Sequence, residues 1–272
     1  MSTETISATN NPALANKLAA QALSEQEVAA PAPKVETPLP PDTQVELPGG
    51  LTDPFEGIIT TAEIRELTGT DEEIIARIGD PGKALLSILE RATVKIGDKP
   101  ADKETLDALL AGDREALLLA IRVATFGPEV TIGPVCPDCG EDQTFKIDLT
   151  SDVKIKKLEK EEDRSLIVDC KVGKVKINLP TGGAQKALVN ATNKNAAELD
   201  TILLKSCVES INGMPILNVQ QIKDLSLKDR RDLIKHITDR NPGPQLSEIK
   251  KTCSACDSEV SLPLTLADLF RE

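Results

Sequence analysis

The chain has 272 residues and a formal net charge of −12, with 44 acidic against 32 basic side chains. That length holds one large domain or two small ones, and that charge, without a long Lys/Arg run, argues against general nucleic-acid binding, whose affinity rests on neutralising phosphates. There is no Trp or Tyr and only four Phe (Phe55, Phe126, Phe145, Phe270), so stacking platforms for single strands are nearly absent and Leu, Ile, Val and Ala must build the core.

Residues 1–44 read as a Pro/Ala-rich tail and a candidate docking arm. Pro31-Ala32-Pro33 and Pro38-Leu39-Pro40-Pro41 disfavour both helix and central strand. Asn11 to Ala30 is Ala-rich and suits a helix formed on a partner. The N-terminus lacks a basic n-region followed by an apolar h-region, and no apolar run approaches the roughly 18 residues needed to span a bilayer. Six cysteines in such a chain are expected reduced in a cytoplasm.

Ile58-Ile59-Thr60-Thr61 reads as a strand. Asp71 to Ile78 places Ile74, Ile75 and Ile78 at helical spacing. Pro81 starts the next helix, a favoured first-turn position, with Leu85, Ile88, Leu89 and Ala92 on one face. A further helix carries Leu117, Leu118, Ile121 and Phe126, and Gly127-Pro128 stops it. Strand-like Val130-Thr131-Ile132 and Phe145-Lys146-Ile147 flank Cys136-Pro137-Asp138-Cys139-Gly140. The mixed-sign run Lys154 to Arg164 reads as a solvated face. Leu166 to Asp169 and Lys174 to Ile177 read as strands, the latter with clean alternation. Pro180-Thr181-Gly182-Gly183 reads as a turn before a helix, without the ending of a phosphate loop. Ala196 to Ile211 reads as one helix bearing Leu199, Ile202, Leu203, Val208 and Ile211. Lys228 to Asp239 reads as another, with Leu233, Ile234 and Ile237 inward and His236, the only histidine, on its surface. Pro242-Gly243-Pro244 stops it, and Glu259 to Leu262 reads as a strand after Cys253-Ser254-Ala255-Cys256.

The chain also resembles itself. Ile96-Gly97-Asp98-Lys99-Pro100 matches Ile211-Asn212-Gly213-Met214-Pro215 at a shift of 115. Asp113-Arg114-Glu115-Ala116-Leu117 matches Asp229-Arg230-Arg231-Asp232-Leu233 at 116, and Gly127-Pro128 matches Gly243-Pro244 at the same shift. Cys136 and Cys139 match Cys253 and Cys256 at 117. The slow drift is what loop insertions produce in a duplicated unit. The recurring Asp-Arg pairs suit a helix start, with Asp at the positive end of the dipole, or an inter-helix salt bridge.

A C-x2-C pair holds two thiolates on one turn, half of a tetrahedral zinc site, and two pairs complete it. Here 113 residues separate Cys139 from Cys253, far beyond a compact zinc ribbon. A shared metal at Cys136, Cys139, Cys253 and Cys256 would therefore staple distant parts of the chain. Redox dithiols and unbound thiols are the other readings of the same cysteines. Cys170 and Cys207 stand alone and read as buried small apolar residues.

The order Leu67-Thr68-Gly69-Thr70-Asp71-Glu72-Glu73, Ile96-Gly97-Asp98, Gly112-Asp113-Arg114, Ile121-Arg122-Val123-Ala124-Thr125-Phe126-Gly127 and Cys136-Pro137-Asp138-Cys139-Gly140 resembles T4-type phage baseplate hub and tail-assembly proteins of contractile-tailed phages. The resemblance runs over about residues 45 to 180. It implies a non-enzymatic protein of the baseplate hub or of its assembly, and a metal role for Cys136 and Cys139; Cys253 and Cys256 rest on the internal repeat. The long tail is outside that pattern.

The expectation is thus an α+β protein: two similar helical units with small β-sheets, an internal duplication joined by a zinc-ribbon-like site. Residues 1–44 form the tail, 45–150 the first unit and 151–272 the second, each unit ending in a cysteine turn. The expected cofactor is structural Zn2+. The expected partners are other baseplate and tail proteins, with no nucleic acid and no membrane, in the phage virion or in the host cytoplasm during assembly. A zinc-ribbon accessory protein of a nucleic-acid machine and a C-x-x-C oxidoreductase are the alternatives.

Overall fold

A computed structural model describes residues 43–270, so the expected tail and its helix over Asn11 to Ala30 lie outside the described residues. The chain mixes helices with small antiparallel sheets. It opens with a hairpin, β1 (Gln44–Asp53) and β2 (Gly57–Ile64). Helices α1 (Gly69–Ile75) and α2 (Pro81–Ala92) follow, then β3 (Thr93–Ile96) and β4 (Lys99–Pro100). Helices α3 (Lys103–Ala108) and α4 (Ala111–Phe126) lead to the hairpin β5 (Glu129–Ile132) and β6 (Phe145–Asp148).

The second half runs in a similar order. After β7 (Ile155–Lys156) and a 3-10 turn come β8 (Ser165–Cys170) and β9 (Gly173–Asn178), α5 (Gly182–Val189), α6 (Ala196–Cys207), β10 (Val208–Ile211) and β11 (Met214–Pro215). Helices α7 (Val219–Lys223) and α8 (Leu227–Arg240) precede β12 (Gly243–Pro244) and the hairpin β13 (Lys250–Thr252) and β14 (Glu259–Ser261). A short α9 (Leu266–Leu269) ends the described chain. The two larger sheets have orders β1-β2-β3-β4 and β8-β9-β10-β11, all neighbours antiparallel. No described helix is long and apolar enough to cross a membrane.

Local chemistry accounts for the helix starts. Asp80 caps α2 by accepting the Lys83 amide, with Pro81 in the first turn, where a missing N–H costs nothing. Asn195 and Glu198 form a reciprocal capping box on α6. In α1, the buried Asp71 accepts the Thr68 amide and is gripped by Arg65 and Arg91, each at 2.6 Å. Its hydrogen bond from Arg65, foremost, holds this carboxyl well below the usual range.

Three apolar clusters form the core. One packs β1, β2 and β3 against α2 and α4 through Ile64, Leu89, Ile96, Leu117 and Ile121. Another packs β8, β9 and β10 against α6, α7 and α8 through Val175, Ile177, Leu204, Ile222 and Leu233. The third surrounds the cysteine hairpins and joins Leu119 of α4 to Ile147, Leu149, Ile249, Val260 and Leu262. Helix α4 is the central strut. At Gly112 a Cβ would lie 1.7 Å from the carbonyl oxygen of Pro242, so only glycine lets α4 meet β12.

The start of α4 repeats at the start of α8. Asp113 accepts the Gly49 and Gly50 amides at 2.6 and 3.1 Å, and Asp229 accepts the Lys171 amide at 2.8 Å. Arg114 donates to the carbonyl of Leu106 and Arg230 to that of Ile222, eight residues back in both cases. Both Asp-Arg pairs stand at a helix start, and the alternative, an inter-helix ion pair, forms at Arg114, 3.3 Å from Asp107; Arg230 bonds instead to the Ala197 carbonyl and the Thr201 hydroxyl.

Several sequence expectations need correcting. The helix read over Ala196 to Ile211 ends at Cys207; β-branched Val208 and Ile211 turn extended and pair with β9. Phe126, the last residue of α4, is 55% exposed, whereas Leu117, Leu118 and Ile121 of the same helix are buried. Strand β1 was not expected, because Pro48-Gly49-Gly50 interrupts its alternation; the register shifts between Glu46 and Leu51. The run Lys154 to Arg164 is more than a solvated face: Ile155–Lys156 pairs with Gly243–Pro244, and the Arg164 guanidinium donates to the carbonyls of Gly49 and Gly50. Cys207 is buried as expected, but Cys170 is only half-buried. The Pro180 to Gly183 turn is structural, with the Gly182 amide donating to the Leu109 carbonyl and Pro180 accepting from Ala111.

Burial pushes the Asp113 carboxyl up to about 6, against the opposing pull of the Gly49 and Gly50 amides and of Arg164. A carboxyl raised on folding binds its proton more tightly in the folded chain. Its contribution therefore favours folding at low pH and is lost as pH rises from its unfolded value through about 6. Asp113→Asn keeps an acceptor for both amides but cannot ionise. Its stability relative to the parent should rise by roughly 2 kcal/mol between pH 4 and pH 7, read by urea denaturation; a pH-independent difference would contradict this.

Candidate metal centre

Each cysteine pair sits at the tip of a hairpin. Cys136 and Cys139 lie between β5 and β6, and Cys253 and Cys256 between β13 and β14. Backbone hydrogen bonds wind the two tips alike. The Cys136 amide donates to the Glu141 carbonyl and the Gly140 amide to the Cys136 carbonyl. In the second tip the Cys253 amide donates to the Ser258 carbonyl and the Asp257 amide to the Cys253 carbonyl. The turn needs a left-handed residue four places after the first cysteine. Gly140 supplies it at φ 75°, and Asp257 at φ 56°.

The structure brings all four cysteines singled out from sequence to one point. Their sulfur atoms lie within 4.8 Å of one another. Cys136 Sγ stands 3.7 Å from Cys256 Sγ, and Cys139 Sγ stands 3.8 Å from Cys253 Sγ. A tetrahedron of thiolates at about 2.3 Å from a zinc ion has sulfur–sulfur edges of about 3.8 Å. The cluster therefore has the size of a four-thiolate metal site, and it could hold a metal ion. Cys136 and Cys253 are buried, whereas Cys139 and Cys256 face solvent, so one side of the cluster is rooted in the core and the other is open to ion entry.

Two side chains that sequence reading missed hold the tips together. Gln143 Oε1 accepts from the Ser254 amide at 3.1 Å and from its hydroxyl at 2.8 Å. The Ser258 hydroxyl lies 3.0 Å from Cys256 Sγ and 3.4 Å from Cys136 Sγ. Neither residue type signals this role in sequence, because both positions are defined only by the partner hairpin.

The thiols are electrostatically unequal. The Ser258 hydroxyl, aided by the Cys139 and Asp138 amides, draws Cys136 down to about 6. At Cys139 the Glu141 amide pulls downward, but desolvation and the surrounding thiols prevail and push it up to about 12. One thiolate in the cluster thus opposes the next. Cys136, Cys139, Cys253 and Cys256 would hold a dication, whose charge would offset that opposition and favour their deprotonation.

Other groups raised from sequence do not join the cluster. His236 is exposed on α8, Cys207 is buried in the second-half core, and Cys170 lies at its margin. Among the described residues this is the only group of three or more His, Cys, Asp or Glu side chains arranged to hold an ion.

Residues 41–271 match the family model described as T4 bacteriophage base plate protein. No curated protein and no solved structure matches the chain.

The left-handed positions give a direct test of the hairpin geometry. A Cβ at Gly140 meets nothing within 4 Å, so Gly140→Ala isolates backbone strain and should cost about 1–2 kcal/mol in thermal or urea unfolding. Asp257→Gly removes strain and should stabilise by a few tenths of a kcal/mol, roughly, after the entropy of the added glycine. Equal effects of the same sign would contradict matched turns.

Proposed function

The chain belongs to the T4 bacteriophage base plate protein family, and from that membership we propose that it serves in the hub region of a contractile tail's baseplate, as a structural or assembly protein that binds other baseplate and tail proteins. The role is non-enzymatic. A structural zinc, held by Cys136, Cys139, Cys253 and Cys256, fixes the hairpin of the first half to that of the second. The observation that carries this reading is the convergence of two cysteine turns, far apart in sequence, on one cluster whose sulfurs lie within 4.8 Å. Four protein thiolates fill a tetrahedral ion and leave no position for substrate or water, which suits architecture rather than chemistry.

In the same reading the protein is an internal duplication, with residues 45–150 and 151–272 as its two units and residues 1–44 as a docking arm. Support comes from the common strand order of the two larger sheets, the two Asp-Arg helix starts with the same backbone partners eight residues back, and the two cysteine turns with equivalent hydrogen bonds. The match to the family model runs across both units.

A quantitative mass-spectrometric profile of fractionated phage-infected lysate tests the function. The protein should sediment with baseplates, finished tails or baseplate assembly intermediates. Its recovery only as free protein, in every fraction and at every stage of infection, would refute the reading.

A further inference from the structure

A cleft of about 370 Å³ lies between the start of α4 and the facing parts of α5, α6 and α8. Glu115, in the second turn of α4, lines it and is partly buried. Among the described residues no donor and no cation is paired with its carboxylate. Desolvation alone pushes the group up to about 7. The charged residues beside it in sequence are engaged elsewhere: Asp113 accepts the Gly49 and Gly50 amides, and Arg114 donates to the Leu106 carbonyl. Basic residues on the facing helices are engaged too, since Lys186 of α5 pairs with Asp107 and Arg240 of α8 with Asp163.

The rest of the lining adds further acceptors. Asn241 follows α8 and lines the same cleft, and its Oδ1 is buried without a donor among the described residues. Buried polar atoms are nearly always satisfied, so an orphan here calls for a donor from outside. Gln245 lines the cleft beyond β12; its amide nitrogen is committed to the Gly243 carbonyl, which leaves its oxygen to accept. Among the described residues no charged side chain other than Glu115 lines the cleft, whether from α4, α5, α6, α8 or the turn after β12. Leu188, Leu203 and Pro244 supply apolar wall. An anion, two neutral acceptors and an apolar wall match the chemistry of lysine. Its ammonium has three donors and no acceptor, and its four-carbon stem packs on apolar surface.

We infer that this cleft is a subsite for a lysine side chain of a partner protein, whose ammonium meets Glu115, Asn241 Oδ1 and Gln245 Oε1 while its stem lies along Leu188, Leu203 and Pro244. That the lysine belongs to a partner protein rests on the reading above of a chain that binds other tail proteins; the chemistry of the subsite does not. A net charge of −12 favours basic partners in the same sense. Ionised Glu115 is the form that binds. Its share rises from about a tenth at pH 6 to about nine tenths at pH 8, whereas a lysine ammonium stays charged throughout. Docking therefore tightens as pH rises through neutrality.

The test titrates the purified full chain with Nα-acetyl-lysine methylamide and follows the glutamate carboxyl carbons by NMR, with Nα-acetyl-norleucine methylamide as the uncharged control. Glu115→Gln assigns the Glu115 signal, and its unfolding curve checks that the variant folds. The lysine probe should move that signal saturably, with a Kd on the order of 1–10 mM, and should bind about tenfold tighter at pH 8 than at pH 6. The norleucine probe should leave it in place. Binding to Glu115→Gln, read from the broadening of the probe's own lines, should weaken about tenfold or more. A Glu115 signal unmoved up to about 100 mM probe, an equal response to norleucine, or parent-like binding by Glu115→Gln would each overturn the inference. Those outcomes leave the baseplate reading standing. That reading fails separately, if the protein is never recovered with baseplate or tail material.

Discussion

Four sulfur atoms within 4.8 Å of one another constrain the rest of this chain. Two hairpin tips separated by more than a hundred residues do not meet by local preference. Each hairpin supplies half of the donor set and cannot complete it alone. The surrounding core is built to the same end: Ile147 and Leu149 from the first hairpin, with Val260 and Leu262 from the second, pack into one cluster against α4. In the zinc reading, metal-binding free energy of about 10–16 kcal/mol, as in small fingers, far exceeds the cost of closing so long a loop, which grows only logarithmically with length. The ion would then reinforce a joint that the shared apolar cluster around the hairpins already makes between the halves.

A second constraint acts at the start of α4. Asp113 ties β1 to the helix, Arg114 ties α3 to it, and Gly112 admits the backbone of Pro242. Burying a carboxylate this way is costly, as its raised pKa shows, and the site tolerates it because two amides converge on one oxygen. The second half uses the same geometry with a lighter load: Asp229 holds one amide, and Arg230 spreads its donors over α6 and α7. The halves are alike in connectivity and unlike in surface, since α4 is buried along most of its length and α8 keeps a solvated face.

The cysteine site was legible in sequence because its signal is local and chemical: two C-x2-C turns with a left-handed position four residues on. Helices α2, α4 and α8 were legible from apolar spacing and from Pro and Gly stops. What stayed hidden depended on distant partners. Strand β1 carries Pro48-Gly49-Gly50, which reads as a loop until Asp113 and Arg164 are seen to satisfy those two glycines. Val208 to Ile211 continues a helical apolar pattern, and only pairing with β9 makes it a strand. Gln143 and Ser258 acquire their roles from the opposite hairpin, so no spacing within either segment reveals them.

Metal content per chain, measured by native mass spectrometry on the purified protein and on a Cys253→Ser/Cys256→Ser variant, tests the central claim most directly. The account predicts one zinc per chain in the parent, lost or greatly weakened in the variant. No metal in the parent, or half a zinc per chain in a dimer, would contradict an intrachain four-cysteine joint.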